Sequence, residues 1–124
     1  MAKKILVIDD EPLVIKSLGR LLKNSGYDVV VTASAKEALE KIKETDFDLI
    51  ISDVRMPGTN GIEAIKEIRG HLESANKSKI PEIFITGYAD DNYYNEAVKL
   101  KVADYIYKPF DTKDLLEAIR KHIG

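Results

Sequence analysis

The segment Ile5-Leu6-Val7-Ile8-Asp9-Asp10 is a short apolar run that stops at two carboxylates. Four more apolar runs follow along the chain, at residues 29–31, 49–51, 83–85 and 105–107. Their apolar residues stand at successive positions rather than at alternate ones, which is typical of strands that are covered on both faces. The runs therefore predict five buried β-strands.

Amphipathic stretches separate these runs and predict helices. Val14, Leu18, Leu21 and Leu22 recur at the spacing of one helix face. Two later helices have start signals, because Ser34 is followed by Glu37, and Asn60 by Glu63. Residues 73–79 are polar and predict a loop. Alternating strands and helices predict an α/β fold, a (βα)5 doubly wound five-stranded parallel sheet of the flavodoxin-like type with strand order 2-1-3-4-5.

Composition limits the function classes. The 124 residues predict one domain, residues 1–124, and 44% hydrophobic residues suffice for a core. The net charge of -2 argues against direct nucleic-acid contact by this domain. The absence of cysteine excludes disulfides, thiolate zinc sites and cysteine nucleophiles. No apolar stretch predicts a membrane span or a signal peptide, and we expect a cytoplasmic location.

Polar residues follow four of the five predicted strands. They are Asp9 and Asp10 after the first strand, Asp53 after the third, Thr86 after the fourth and Lys108 after the fifth. Ligands of open α/β sheets bind at the carboxyl ends of the strands, so these side chains are expected at one edge. Clustered carboxylates repel one another unless a pKa rises or a cation joins them. Because Mg²⁺ prefers oxygen ligands, we expect Mg²⁺, or Mn²⁺, as cofactor.

Beside such a cation, Asp53 is a plausible nucleophile toward phosphorus. Lys108 would add positive charge, and Thr86 a hydrogen bond to a phosphoryl oxygen. Each residue taken alone also has an ordinary structural interpretation. Asp9 or Asp10 could cap a helix, Asp53 could belong to a turn, Thr86 could bond locally and Lys108 could be solvated. Their joint placement at strand ends favours a site.

These motifs resemble the receiver domain of two-component response regulators, of the chemotaxis-regulator type. The segments that carry the resemblance are Ile8-Asp9-Asp10-Glu11, Asp53-Val54-Arg55-Met56-Pro57-Gly58 with Asn60-Gly61, Thr86-Gly87, and Tyr105-Ile106-Tyr107-Lys108-Pro109-Phe110. The resemblance covers residues 4–123. It implies a phosphoprotein of a phosphorelay, whose phosphoryl donor is a phosphohistidine on a sensor histidine kinase or a histidine phosphotransfer protein.

The resemblance also implies a role for each matching residue. Asp53 would be the phosphoacceptor, and Mg²⁺ would be held by Asp9, Asp10, Asp53 and the backbone carbonyl of Arg55. Thr86 would be the switch hydroxyl, Lys108 the phosphoryl contact and Tyr105 the switch aromatic. The Lys108-Pro109 bond would be cis. Arg55 and Tyr88 would flank the site and tune the lifetime of the acyl phosphate.

Partner surfaces and other function classes remain open at this point. The resemblance implies a switching face made by the fourth helix, fifth strand and fifth helix, which could serve an output domain or a homodimer. Five tyrosines cluster in or near it, namely Tyr88, Tyr93, Tyr94, Tyr105 and Tyr107. The segment 70–80 looks longer than is usual in the family.

Three other functions compete with a phosphoacceptor domain. A Mg²⁺-dependent aspartyl-phosphate hydrolase usually needs an acid/base two residues after the nucleophile, where this chain has Arg55. A nucleotide or flavin module needs a glycine-rich loop after the first strand, where this chain is acidic. An interaction domain that works without phosphorylation would not require the full set of polar strand-end residues.

Overall fold

The computed structural model describes residues 2–54, 60–87 and 91–123, with only the backbone described for residues 91–93. Within these ranges five strands alternate with five helices. The strands are β1 (Lys4–Ile8), β2 (Asp28–Thr32), β3 (Leu49–Asp53), β4 (Glu82–Thr86) and β5 (Asp104–Tyr107). The helices are α1 (Pro12–Asn24), α2 (Ala35–Glu44), α3 (Gly61–Ser74), α4 (Asp91–Leu100) and α5 (Thr112–Ile123).

The strands form one parallel sheet in the order β2-β1-β3-β4-β5, which confirms the predicted topology. Its register aligns the carboxyl ends of neighbouring strands. Ile8 pairs with both Thr32 and Ser52, while Asp53 pairs with Ile85. The residues that follow β1, β3 and β4 are therefore brought to the same edge.

Two apolar clusters cover the two faces of the sheet. Ile5 and Val7 pack on one face with residues of α1 and α5, whereas Leu6 and Ile8 pack on the other with residues of α2 and α3. Successive side chains of a strand point to opposite faces, so covering both faces requires the continuous apolar runs seen in the sequence. The edge strands β2 and β5 are less deeply buried than β1, β3 and β4.

The predicted helix starts are confirmed. The Ser34 hydroxyl accepts a hydrogen bond from the Glu37 amide at 3.2 Å, and the Glu37 carboxylate accepts from the Ala33 amide at 3.2 Å. The Asn60 side chain accepts from the Glu63 amide at 2.9 Å. These bonds satisfy amide groups that have no partner within the first turn of a helix.

The predicted loop at residues 73–79 is wrong at its first two positions, because α3 continues through Ser74. Buried Leu72 anchors this last turn, and the Ala75 amide still donates to the His71 carbonyl. The helix ends where Asn76 adopts a left-handed conformation with φ of 56°. No helix in the described ranges is long and apolar enough to cross a membrane.

Candidate functional site

Three carboxylates meet at the carboxyl edge of the sheet, as predicted. Asp9, Asp10 and Asp53 each offer an oxygen, and these oxygens lie within 4.8 Å of one another. Asp9 and Asp53 are buried, at 2% and 4% exposure, while Asp10 is more accessible to solvent. Such a group of hard oxygen donors, open on one side, is suited to a divalent cation.

Lys108 reaches into this cluster from the end of β5. Its Nζ lies 3.2 Å from Asp9 Oδ2, 3.2 Å from Asp53 Oδ2 and 3.3 Å from Glu11 Oε1. Burial lowers the pKa of Lys108, but the charges of Asp53 and Asp9 outweigh it and hold the pKa above its ordinary value. The side chain is therefore a cation shared by two buried carboxylates. Glu11, its third partner, was not predicted.

The alternative in which Asp9 or Asp10 caps the first helix is wrong. The residue at the N-cap of α1 is Glu11, and its side chain makes no capping bond. Asp9 Oδ1 instead accepts from the Glu11 amide at 2.9 Å, ahead of the helix. This bond orients the carboxylate and leaves Oδ2 toward Lys108.

The backbone of Asp53 is held between β3 and the start of α3. The Gly61 amide donates to the carbonyl of Val54 at 2.6 Å, and the Ser52 hydroxyl donates to the carbonyl of Asp53 at 2.8 Å. A Cβ atom at Gly61 would overlap the Asp53 carbonyl oxygen. Glycine therefore permits a close approach that positions the carboxylate.

Thr86 and Tyr105 connect the site with the neighbouring strand. Thr86 is fully buried at the end of β4, and its carbonyl accepts from the Lys108 amide at 2.7 Å. Tyr105 pairs with Phe84, two residues before Thr86. The half-buried Tyr105 ring makes edge contacts with Tyr94 and Tyr107, each at 5.3 Å between centroids.

The Lys108-Pro109 peptide is cis, as the resemblance implied. Arg55 and Tyr88, which were expected to flank the site, lie outside the described residues, and the side chain of Tyr93 does too. Tyr94 and Tyr107 are 43% and 45% exposed. Of the three clustered tyrosines whose side chains the structure describes, two are therefore accessible.

Comparison with known proteins identifies the family. The family model described as "Response regulator receiver domain" matches residues 5–120. The chain is 38% identical over 118 residues to the transcriptional regulatory protein FixJ of Azorhizobium caulinodans, covering 95% of this chain and 54% of that protein. It is 37% identical over 120 residues to the transcriptional regulatory protein ZraR of Escherichia coli K12, covering 97% of this chain and 26% of that protein.

A solved structure gives the same result. The CheY-like response regulator receiver domain protein of Methanospirillum hungatei matches with a TM-score of 0.89 and 29% identity, covering 99% of this chain and 94% of that one. The chain thus spans about half the length of FixJ and a quarter of ZraR. These matches confirm the fold and the resemblance stated from the motifs. The chain belongs to the response regulator receiver domain family of two-component signal transduction.

Proposed function

We propose that Asp53 accepts a phosphoryl group from a phosphohistidine in a Mg²⁺-dependent reaction, and that residues 1–124 form one receiver domain. The observation that carries this proposal is the placement of Lys108, whose Nζ lies 3.2 Å from both Asp9 and Asp53. A phosphoryl group on Asp53 would enter a site that already holds a positive charge.

Asp9, Asp10 and Asp53 would hold the cation, which is Mg²⁺ or Mn²⁺. The backbone carbonyl of Arg55 would add a further oxygen. When bound, the ion would neutralise charge on the carboxylates and on phosphoryl oxygens. The three carboxylates fit such an ion because they offer only oxygen donors and because Asp10 is accessible to solvent.

Transfer would proceed by attack of an Asp53 carboxylate oxygen on phosphorus. The new O–P bond forms while the P–N bond to the donor imidazole breaks, and the electron pair of that bond stays on the leaving imidazole. Lys108 would move its ammonium from the Asp53 carboxylate to the phosphoryl oxygens. The donor would be a sensor histidine kinase or a histidine phosphotransfer protein.

The phosphorylated state would be transmitted through Thr86 and Tyr105. A dianionic phosphoryl group is a strong acceptor and would draw the Thr86 hydroxyl toward Asp53. The Thr86 side chain would vacate space that the Tyr105 ring can enter. The conformation of the face formed by α4, β5 and α5 would change as a result. An output domain or a second copy of the chain are the partners we propose for that face, since both relatives are named transcriptional regulatory proteins.

We also propose that the domain promotes only its own phosphorylation and dephosphorylation, in the cytoplasm. Arg55 occupies the position where a hydrolase acting through an aspartyl phosphate usually has its second acid/base. Arg55 and Tyr88 would instead set the lifetime of the phosphorylated state. Tyr88→Ala would shorten that lifetime if the ring obstructs the attacking water.

The test is intact-mass spectrometry after incubation with acetyl phosphate and Mg²⁺. We expect one phosphate adduct, which is lost in Asp53→Asn and when EDTA replaces Mg²⁺. Asp46→Asn is the matched control, because Asp46 is exposed and lies in the loop before β3, at the opposite edge of the sheet. An adduct that persists in Asp53→Asn would refute the proposal.

A further inference from the structure

An open groove of about 420 Å³ lies between α1 and the edge strand β2, away from the carboxylate cluster. Its floor is apolar and includes Val29, Val31 and the bare backbone of Gly19. Val31 is 40% exposed, whereas the central strands β1, β3 and β4 are largely covered. The groove is therefore an apolar surface that no other element of the described chain covers.

Gly19 keeps this groove open. It lies in the middle of α1, where glycine weakens a helix relative to alanine. A Cβ atom there would lie 3.9 Å from Val31 Cγ1, which is ordinary van der Waals contact, so no close approach requires glycine. The effect of having no side chain at this position is to leave Val31 accessible.

The outer edge of β2 offers backbone groups beside the groove. The Asp28 amide donates to Lys3, and the Thr32 carbonyl accepts from Asp9, so both residues point toward β1. Backbone groups of a strand alternate in direction, and those of Val29 and Val31 consequently point away from the sheet. An added strand could pair with them.

The rim of the groove is positively charged. It carries Lys16, Arg20 and Lys23, which are all exposed and lie on α1 at helical spacing. No ion pair joins any of them to another residue in the described ranges. Helix α1 contains no acidic residue, although the whole chain has a net charge of -2.

We propose that the α1–β2 groove is a docking site for an extended acidic segment of a partner protein. The segment would pair with the free edge of β2 and present every second side chain toward α1. On that one face it would carry both apolar side chains, packed on Val29 and Val31, and carboxylates. Its carboxylates would face the three cations of the rim, which would favour encounter with an acidic partner. A second copy of this chain fits less well, because symmetric pairing of β2 edges would bring the cationic rims of both copies together.

The probe is a short fluorescein-labelled peptide with serine at every second position and valine and glutamate in turn at the positions between, so that valine and glutamate share one face of the strand. It is titrated into the full chain and followed by anisotropy. Matched peptides in which lysine replaces glutamate, or in which serine replaces valine, separate the contributions of charge and apolar contact. We expect only the glutamate–valine peptide to bind, with a dissociation constant below about 1 mM. The amide resonances of Val29 and Val31 should shift in a ¹⁵N spectrum.

Two variants test the cationic rim and the apolar floor of the groove separately. Arg20→Glu reverses charge at the rim and Gly19→Leu fills the groove, and each should weaken binding at least about tenfold. Lys66→Glu makes the same charge change at an exposed position of α3, away from the groove, and should leave binding unchanged. Circular dichroism confirms folding, and Arg20→Glu at an exposed site remains informative if Gly19→Leu is unstable.

The proposal is overturned if the glutamate–valine peptide does not bind, if Lys66→Glu weakens binding as much as Arg20→Glu, or if the amide shifts lie on another surface. Phosphorylation of Asp53 by acetyl phosphate should be unchanged in Arg20→Glu, since Arg20 lies outside the carboxylate cluster. The docking proposal and the phosphorylation proposal can therefore be refuted independently of each other.

Discussion

Lys108 balances the charge of the site at the scale of single residues. Its ammonium is the cation that Asp9 and Asp53 share, and all three side chains are largely buried. Two buried carboxylates without a cation would repel each other and would be poorly solvated. The metal-free domain therefore depends on Lys108, whereas a metal-bound domain would have a second source of positive charge.

Replacing Lys108 with methionine should destabilise the domain in a way that depends on the metal. Without Mg²⁺ the Lys108→Met variant should lose about 3 kcal/mol, because the loss of one partner leaves buried charge uncompensated. Mg²⁺ should stabilise the variant more than the parent. Urea denaturation with EDTA and with saturating Mg²⁺ measures both effects.

Lys77→Met is the control for that measurement. Lys77 also contacts an aspartate, Asp46, but both side chains are exposed, so we expect a change of less than about 1 kcal/mol. A loss in Lys108→Met that is no larger than this, or that Mg²⁺ does not reduce, would contradict the role given to Lys108.

The titration of Lys108 provides a second prediction. Its folded-state pKa is raised above 10.5, so the stability it contributes is present below pH 10.5 and is lost as the pH rises through the folded value. NMR of ¹³C-labelled lysine should show a Lys108 pKa above 10.5. Asp53→Asn should lower the pKa of Lys108, since it removes a neighbouring negative charge, and an unchanged value would argue against their coupling.

Helix α3 positions the site at the scale of elements, because it begins against the end of β3. Gly61→Ala should destabilise the domain by about 1–3 kcal/mol, since its Cβ would displace the Asp53 carbonyl. It should also weaken Mg²⁺ binding by shifting the Asp53 carboxylate. Urea denaturation and metal titration measure the two effects.

Gly70→Ala is a control in the same helix. Gly70 is exposed and a Cβ there would meet nothing within 4 Å, so alanine should stabilise α3 by up to about 1 kcal/mol. If both substitutions change stability in the same direction, the close approach at Gly61 is not the cause.

An ion pair that was not predicted links α3, β4 and α4. Arg69 donates two bonds of 2.8 Å to Glu82, which is 1% exposed, and a third of 2.6 Å to the carbonyl of Leu100. The arginine thus joins a buried strand residue to the last turn of α4. In this position it holds the end of α4 against α3.

We expect Arg69→Met to cost about 3–5 kcal/mol, because Glu82 would stay buried without its partner. The double variant Arg69→Met/Glu82→Leu should recover most of that loss, since it leaves no charge behind. Chemical denaturation of both variants provides the comparison. A double variant no more stable than the single one would show that the buried charge is not the cause.

The whole molecule shows which features a sequence can predict. The residues that follow parallel strands lie at one edge of the sheet. The clustering of Asp9, Asp53 and Lys108 therefore follows from the order of strands and helices along the chain. The contact of Glu11 with Lys108 could not be predicted, because it depends on how far a long side chain bends back. Nor could the pairing of Arg69 with Glu82, because the sequence does not reveal which side chains two packed elements present to each other.

The path from the site to the partner face is likewise a property of the whole fold. Thr86 ends β4 beside Tyr107, and Phe84 pairs with Tyr105, so one stretch of β4 contacts both the site and the tyrosine cluster. Tyr105 in turn contacts Tyr94, which α4 exposes to solvent. A movement of the Thr86 side chain would therefore change the packing of the Tyr105 ring, which contacts Tyr94 at the surface.

Thr86→Ala should separate phosphorylation from this movement. Asp53 should still be phosphorylated by acetyl phosphate, because its carboxylate and its cations are unchanged. The ¹⁹F signal of Tyr105 in protein labelled with 3-fluorotyrosine should shift on phosphorylation in the parent and not in the variant. Thr45→Ala, at the opposite edge of the sheet, should behave like the parent. A Tyr105 shift that survives in Thr86→Ala would mean that the signal leaves the site by another path.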